Sequence, residues 1–182
     1  MKVSFVRTQG QPDRVYVVRT SGEEVSWRFP NYGDDVPHDL VHFVVETAFG
    51  LARGVWGRVD EGLDLARANT LLETHGPDKY AGFGADRSEL MAAEALAAGG
   101  WRRADLDDVG RLETIRGHAQ QMNAPLPASV TLERIAEVHA TLDALRNRWS
   151  ALIPKGAIDV VFDPADLAGT FAKLRSAGAA GR

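Results

Sequence analysis

Residues 2–29 read KVSFVRTQGQPDRVYVVRTSGEEVSWRF and decide the fold class. Three runs within this stretch are rich in Val, Phe, Tyr and Trp, the side chains that favour strands. The segments between the runs carry Gly, Pro, Asp and Ser, which are typical of turns. The pattern predicts an antiparallel meander with strands near 2–8, 14–20 and 24–29. Alternation of apolar and polar residues indicates that helices cover one face of the sheet while the other face is wetter.

Most of the remaining chain has a helical pattern, with apolar residues at steps of three and four and Gly or Pro between segments. We predict helices at about 37–52, 59–74, 86–99, 105–122 and 131–153, and a last one that starts at Asp163 or Asp166. Residues 157–162 are predicted to join the meander as a fourth strand. The expected fold class is α+β: a small antiparallel sheet of three N-terminal strands plus one C-terminal strand, packed on one face by about five to six helices.

The length and composition bound the class of protein. A chain of 182 residues suits one domain, expected over residues 1–176 and followed by a flexible Gly/Ala tail at 177–182. Cysteine is absent, which excludes disulfides, thiolate metal sites and cysteine nucleophiles. Without a signal peptide or membrane span, we expect a cytoplasmic protein with no membrane partner.

The charge balance bears on partners. The formal net charge is -4 and the sequence pI is about 5.7, which argues against a broad nucleic-acid footprint. A protein partner or self-association stays open, and the sequence identifies neither.

The segment VPHDLVHFVVE, residues 36–46, is the place where chemistry is expected first. At about 100° per residue, four ionisable residues share one side of an otherwise apolar helix. We call this set the histidine stripe: His38, Asp39, His42 and Glu46. Such groups at the border of a core are costly unless they pair, hydrogen-bond or bind a metal.

The structural interpretation of the histidine stripe is that it satisfies itself. Asp39 and His42 are at i, i+3, and His42 and Glu46 are at i, i+4, so both pairs can touch. Asp39 in the first turn also complements the helix dipole. We favour this interpretation, because perturbed networks of ionisable residues are often structural.

A metal site is the second interpretation. His38 and His42 have the spacing of the two histidines in the HExxH motif of metalloproteases, and imidazole suits a divalent transition metal such as zinc. Glu46 is eight residues from His38, about 12 Å along the helix, so one ion held by both residues would strain the side chains. The expected ligands are His38, His42, Glu46 and His139, with His118, His75 and Asp39 as alternatives.

The third interpretation is metal-free acid/base catalysis by His42, oriented by Glu46 or Asp39. Two classes of function therefore stay open. We favour a non-catalytic interaction or regulatory module, because every other signal in the sequence concerns packing. The alternative is a small metal-dependent or histidine-dependent hydrolase-like enzyme that uses the histidine stripe.

A resemblance covers roughly the first third to half of the chain. Residues 37–46, followed by Gly50-Leu51 and Gly54-Val55-Trp56-Gly57, resemble a set of small bacterial hypothetical proteins. These share a short N-terminal meander before a PHDLVHxVVE-type helix. The resemblance implies a recurring architecture and no particular activity.

Overall fold

The computed structural model describes residues 1–8, 12–29, 33–65 and 87–179. Within these ranges the chain forms four strands and six helices. The strands are β1 (Lys2–Val6), β2 (Asp13–Val18), β3 (Glu24–Phe29) and β4 (Ala157–Val161). The helices are α1 (His38–Phe49), α2 (Val55–Asp60), α3 (Ser88–Ala97), α4 (Asp108–Gln121), α5 (Leu132–Ser150) and α6 (Leu167–Ala179). None of the described helices has the length and apolar character needed to cross a membrane.

The strands form one antiparallel sheet in the order β3-β2-β1-β4. The three N-terminal strands make the predicted meander, and β4 adds to the outer side of β1. Lys2 lies opposite Val18 on one side and Val161 on the other, which sets the register across the sheet. The predicted α+β class, with three N-terminal strands and one C-terminal strand, is confirmed.

The two faces of the sheet differ as the alternation predicted. The inner face is buried under the helices, with these residues at most 9% exposed: Val3, Phe5, Val15, Val17, Trp27, Phe29, Ile158 and Val160. The outer face carries the exposed side chains of Tyr16, Val18 and Val161. Only the inner face therefore contributes to the core.

Helix α1 is the central element of the core. All of its residues from Leu40 to Phe49 are buried, because α1 packs against α2, α3, α5 and α6. Trp56 on α2 is fully buried, and its ring lies 5.5 to 6.0 Å from the rings of Phe43, Phe5 and Trp27. This aromatic cluster ties α1 and α2 to the sheet.

Arg7 connects the end of β1 to the end of α5. Its side chain is buried, and it donates hydrogen bonds to the carbonyl oxygens of Trp149 at 2.7 Å and Ser150 at 2.8 Å. A guanidinium at this position donates to the last carbonyls of the helix and complements the negative helix end. Asp34 pairs with the same guanidinium at 2.6 Å.

The predicted second helix was wrong at its start. The helix predicted at about 59–74 was expected to begin near Val59, whereas α2 begins at Val55 and ends at Asp60. Gly57 therefore lies inside a helix. Gly62, with a φ of +116°, follows the helix end. Residues 66–74 of the predicted helix lie outside the described residues.

Three other helix starts have side-chain caps in which an oxygen accepts a hydrogen bond from a backbone N–H three residues later. The caps are Asp107 on α4, Thr131 on α5 and Asp166 on α6. The cap at Thr131 agrees with the predicted helix start at 131, and the cap at Asp166 selects one of the two predicted starts, Asp163 or Asp166, for the last helix. The helix predicted at about 86–99 is α3, which begins at Ser88, and residue 86 lies outside the described residues. Helix α6 includes residues 177–179 of the predicted tail, and 180–182 lie outside the described residues.

Gly57 gives a test of how tightly α2 is packed. A Cβ at this position would lie 1.8 Å from the main-chain oxygen of Ala52, so the backbone must move to admit it. We expect Gly57→Ala to lower the free energy of unfolding by at least about 2 kcal/mol, as overpacking does. Denaturant unfolding measures this change.

The control is Gly117→Ala on α4, where no atom lies within 4 Å of the added Cβ. This variant should raise the free energy of unfolding by about 0.5 to 1 kcal/mol. Equal small effects in both variants would contradict the packing of α2.

Candidate functional site

The histidine stripe runs from the surface into the core along α1. His38 at the helix start is exposed, whereas His42 is 3% and Glu46 0% exposed. The inner half of the stripe is thus buried more deeply than the border position that its helical projection predicts. Buried ionisable groups need partners, so the contacts of each residue decide what the stripe does.

Glu46 holds the N-terminus of α2. One carboxylate oxygen, Oε1, accepts a hydrogen bond from the backbone N–H of Val55 at 3.0 Å, and Oε2 accepts one from Trp56 at 2.9 Å. The first N–H groups of a helix have no partner within it, and the N-cap of α2 is Gly54, which has no side chain to supply one. Glu46 therefore caps α2 from a different helix.

Gly54 leaves the space that this cap requires. A Cβ on Gly54 would lie 2.6 Å from Cδ and 2.7 Å from Oε2 of Glu46. The carboxylate cannot retreat without losing its two backbone hydrogen bonds. The glycine is thus explained by the close approach of a side chain, rather than by a turn.

Asp39 connects α1 to two tryptophans. Its Oδ2 accepts a hydrogen bond from the indole N–H of Trp27 at 2.8 Å. Its main-chain oxygen accepts one from the indole N–H of Trp56 at 3.1 Å. The hydrogen bond of this carboxylate therefore goes to a strand, and not to His42 as the i, i+3 spacing predicted.

His42 lies between two carboxylates. Its Nδ1 is 3.4 Å from Oε1 of Glu46, and its Nε2 is 3.9 Å from Oε2 of Glu94 on α3. Both separations are longer than an ordinary N–H···O hydrogen bond, and Nδ1 has no hydrogen-bond partner among the described residues. The interactions of this ring with the two carboxylates are therefore electrostatic.

The buried pair of His42 and Glu46 favours a bound proton. Burial by itself lowers the pKa of His42, but Glu46, Glu94 and Asp39 together raise that pKa above its ordinary value. Burial raises the pKa of Glu46, and His42 and the backbone N–H groups of Trp56 and Val55 offset part of this rise. Both shifts mean that the folded chain holds a proton here more tightly than the unfolded chain does.

His38 responds in the opposite direction. Its ring makes an edge-to-face contact with His42, with the centroids 4.8 Å apart. Desolvation and the charge of His42 lower the pKa of His38, and Asp39 and Glu94 offset this only in part. The pKa values of two histidines one turn apart on α1 are thus shifted in opposite directions.

His139 takes part in a different cluster. Its Nδ1 lies 2.9 Å from Oδ1 of Asp108 on α4, and its Nε2 lies 3.5 Å from Oδ2 of Asp143 on α5. Among the described residues, no group of three or more His, Asp or Glu side chains could hold a metal ion. The expected set of His38, His42, Glu46 and His139 forms no such group, since His139 is engaged elsewhere. Of the alternatives, His118 lies on α4 and His75 lies outside the described residues.

Sequence reasoning missed Glu94, Trp27 and the two N–H groups of α2. Glu94 is the one charged residue in the run LMAAEALAA, residues 90–98, which α3 otherwise packs as small apolar side chains. A lone carboxylate in such a run was a usable signal, because a charge there needs a partner. The tryptophan contacts come from strand and helix placement and have no local sequence signal.

Comparison with known proteins adds no family to this picture. No protein-family model matches the chain, and neither a curated protein nor a solved structure is significantly similar to it.

The cap of α2 is testable with Glu46→Gln. An amide keeps the shape of the side chain but has only one acceptor oxygen, so its NH₂ group must face one of the two N–H groups. We expect a loss of about 1 to 3 kcal/mol in the free energy of unfolding. The control is Glu61→Gln at the other end of α2, whose surface ion pairs with Arg53 and Arg58 contribute little. Equal losses in the two variants would argue against the cap.

The opposite pKa shifts predict two separate histidine titrations. By NMR of the ring protons, His42 should titrate above and His38 below the ordinary value of about 6.5. The contribution of His42 to the free energy of unfolding is present below about pH 6.5 and is lost as the pH rises through the pKa of His42 in the folded chain. The contribution of His38 is present above that pH and is lost as the pH falls through the pKa of His38 in the folded chain. Glu94→Gln should lower both pKa values, whereas Glu113→Gln, exposed on α4, should leave them unchanged. Coincident titrations would contradict the arrangement.

Proposed function

We propose that this protein is a non-catalytic cytoplasmic interaction or regulatory module, in which the histidine stripe is a structural joint. The observation that carries the proposal is the cap: both carboxylate oxygens of Glu46 accept backbone hydrogen bonds from α2. A carboxylate engaged in this way is unsuited to act as a general base or to ligate an ion. Asp39 is likewise engaged, with the indole of Trp27.

The position of His42 supports the same proposal. A general base must come within hydrogen-bond reach of the proton that it removes from a substrate. His42 is 3% exposed, and its two ring nitrogens face Glu46 and Glu94. The residue best placed by sequence for catalysis is thus surrounded by groups of the protein itself.

A regulatory role is consistent with where the proton is held. Glu94 belongs to α3, while His38 and His42 belong to α1, so the charge on these rings acts directly on the contact between the two helices. A change of pH or of a nearby charge alters the packing energy of α3 on α1. A partner that binds near this contact would sense the protonation state.

The alternative is a histidine-dependent or metal-dependent hydrolase-like enzyme, with zinc as the metal. The observation in its favour is that His42 has a raised pKa and lies beside two carboxylates, since perturbed pKa values cluster at catalytic sites. It needs α3 to move away from α1, so that His42 becomes accessible to a substrate.

Substitution of the two histidines separates these functions. If the stripe is a structural joint, His42→Ala should lower the free energy of unfolding by roughly 1 to 3 kcal/mol, because it removes the buried ring that lies between the carboxylates of Glu46 and Glu94. His38→Ala should have a smaller effect, because His38 is exposed. Thermal melts with added zinc, and after chelator treatment, should give the same differences. Hydrolysis of p-nitrophenyl acetate should be equally slow for the wild type and both variants.

The opposite pattern would overturn the proposal. If both histidines hold one ion, each single change abolishes a zinc-dependent rise in melting temperature, and the double variant loses little more than either single variant. If His42 is a catalyst, its removal lowers ester hydrolysis while the fold remains intact.

A further inference from the structure

A cleft lies between the sheet and two helices, and none of the residues of the histidine stripe lines it. Its volume is about 360 Å³, and residues of β1, β4, α5 and α6 line it. The strand β4 is at the edge of the sheet, so the cleft is situated where the sheet ends. This volume falls in the range of small-molecule sites, about 300 to 1,000 Å³.

The charged residues that line the cleft are unbalanced. Lys2, Arg148 and Lys173 are cationic, and Asp159 is the one carboxylate among the lining residues. Asp159 accepts a hydrogen bond from the hydroxyl of Ser4 at 2.6 Å. None of the three cations forms an ion pair or hydrogen bond with a described side chain. Three cations that have no ion-pair partner among the described residues surround one concave surface, and together they create a positive potential that attracts an anion.

The interior of the cleft is apolar. Four aliphatic residues of its lining, Leu145, Ile158, Val160 and Leu174, already pack in the core, and Val161, which is 53% exposed, gives the cleft its open apolar surface. An inorganic ion would use the cations and leave this apolar surface without a partner. A ligand with an anionic head and an apolar body would satisfy both.

We propose that the cleft binds a small amphipathic organic anion. The head, a carboxylate or a phosphate monoester, is held by Lys2, Arg148 and Lys173. The aliphatic or aromatic body lies against Val161 and the edges of Val160 and Leu174. The proposal uses none of the residues of the histidine stripe, so it stands or falls independently of the function proposed above.

Four probes of matched structure test the proposal by isothermal titration calorimetry on the full chain. Octyl phosphate and octanoate carry the two candidate heads, octyltrimethylammonium carries the same tail with the opposite charge, and inorganic phosphate lacks the tail. At least one of the first two should bind at least tenfold more tightly than octyltrimethylammonium and inorganic phosphate. The ratio of the affinities for octyl phosphate and octanoate identifies the preferred head group.

Variants then locate the binding. Arg148→Gln and Lys173→Gln change half-buried or exposed residues and should preserve the melting temperature. Their combination should weaken the better anion at least tenfold. Arg116→Gln, an exposed cation on α4 that is not part of the lining, should leave affinity unchanged. Chemical shift changes on octyl phosphate addition should centre on Val160 and Leu174.

Three outcomes would overturn the proposal. Equal affinity for octyltrimethylammonium would show binding to any apolar surface. Equal affinity for inorganic phosphate would show an adventitious ion only. Equal weakening by Arg116→Gln would show a general effect of net charge and no specific site.

Discussion

The buried carboxylate of Glu46 is the constraint on which the rest of the structure depends. A charge-bearing group with no exposed surface is tolerated because two backbone N–H groups of α2 point at it. This cap fixes where α2 begins, and the start of α2 fixes Trp56 against Phe5, Trp27 and Phe43. One side chain on α1 thereby determines the packing of the aromatic core.

The sheet was readable from the sequence because its signal is local. Strand-forming residues, turn residues and the alternation of burial all occur within a few positions of one another, as in Lys2–Val6 and Glu24–Phe29. The same holds for the long helix α5, whose apolar stripe and Thr131 cap are both visible in the sequence. Helix α2 was not readable, because its cap comes from Glu46, and the glycines beside it resemble a break in the chain.

The site was predictable only in part, for the same reason. The i, i+4 spacing of His42 and Glu46 brings their side chains to 3.4 Å, as helix geometry requires. Glu94, by contrast, reaches His42 from α3, and Trp27 takes the carboxylate of Asp39 from a strand. His139, which was expected to join the histidine stripe, lies instead beside Asp108 and Asp143. Tertiary placement, which no local pattern encodes, decides whether such a stripe is a joint or a centre of chemistry.

The pairing of β4 with β1 has a consequence for how the chain is made. The hydroxyl of Ser4 on β1 donates a hydrogen bond to the carboxylate of Asp159 on β4, although the two residues are 155 positions apart in the chain. During translation, the edge of β1 that pairs with β4 therefore has no partner until 155 further residues have been synthesised. Contacts of such large sequence separation slow folding, and an open strand edge invites pairing with other chains. Completion of the sheet is thus a late event in biogenesis, and the meander must stay free of aggregation until β4 leaves the ribosome.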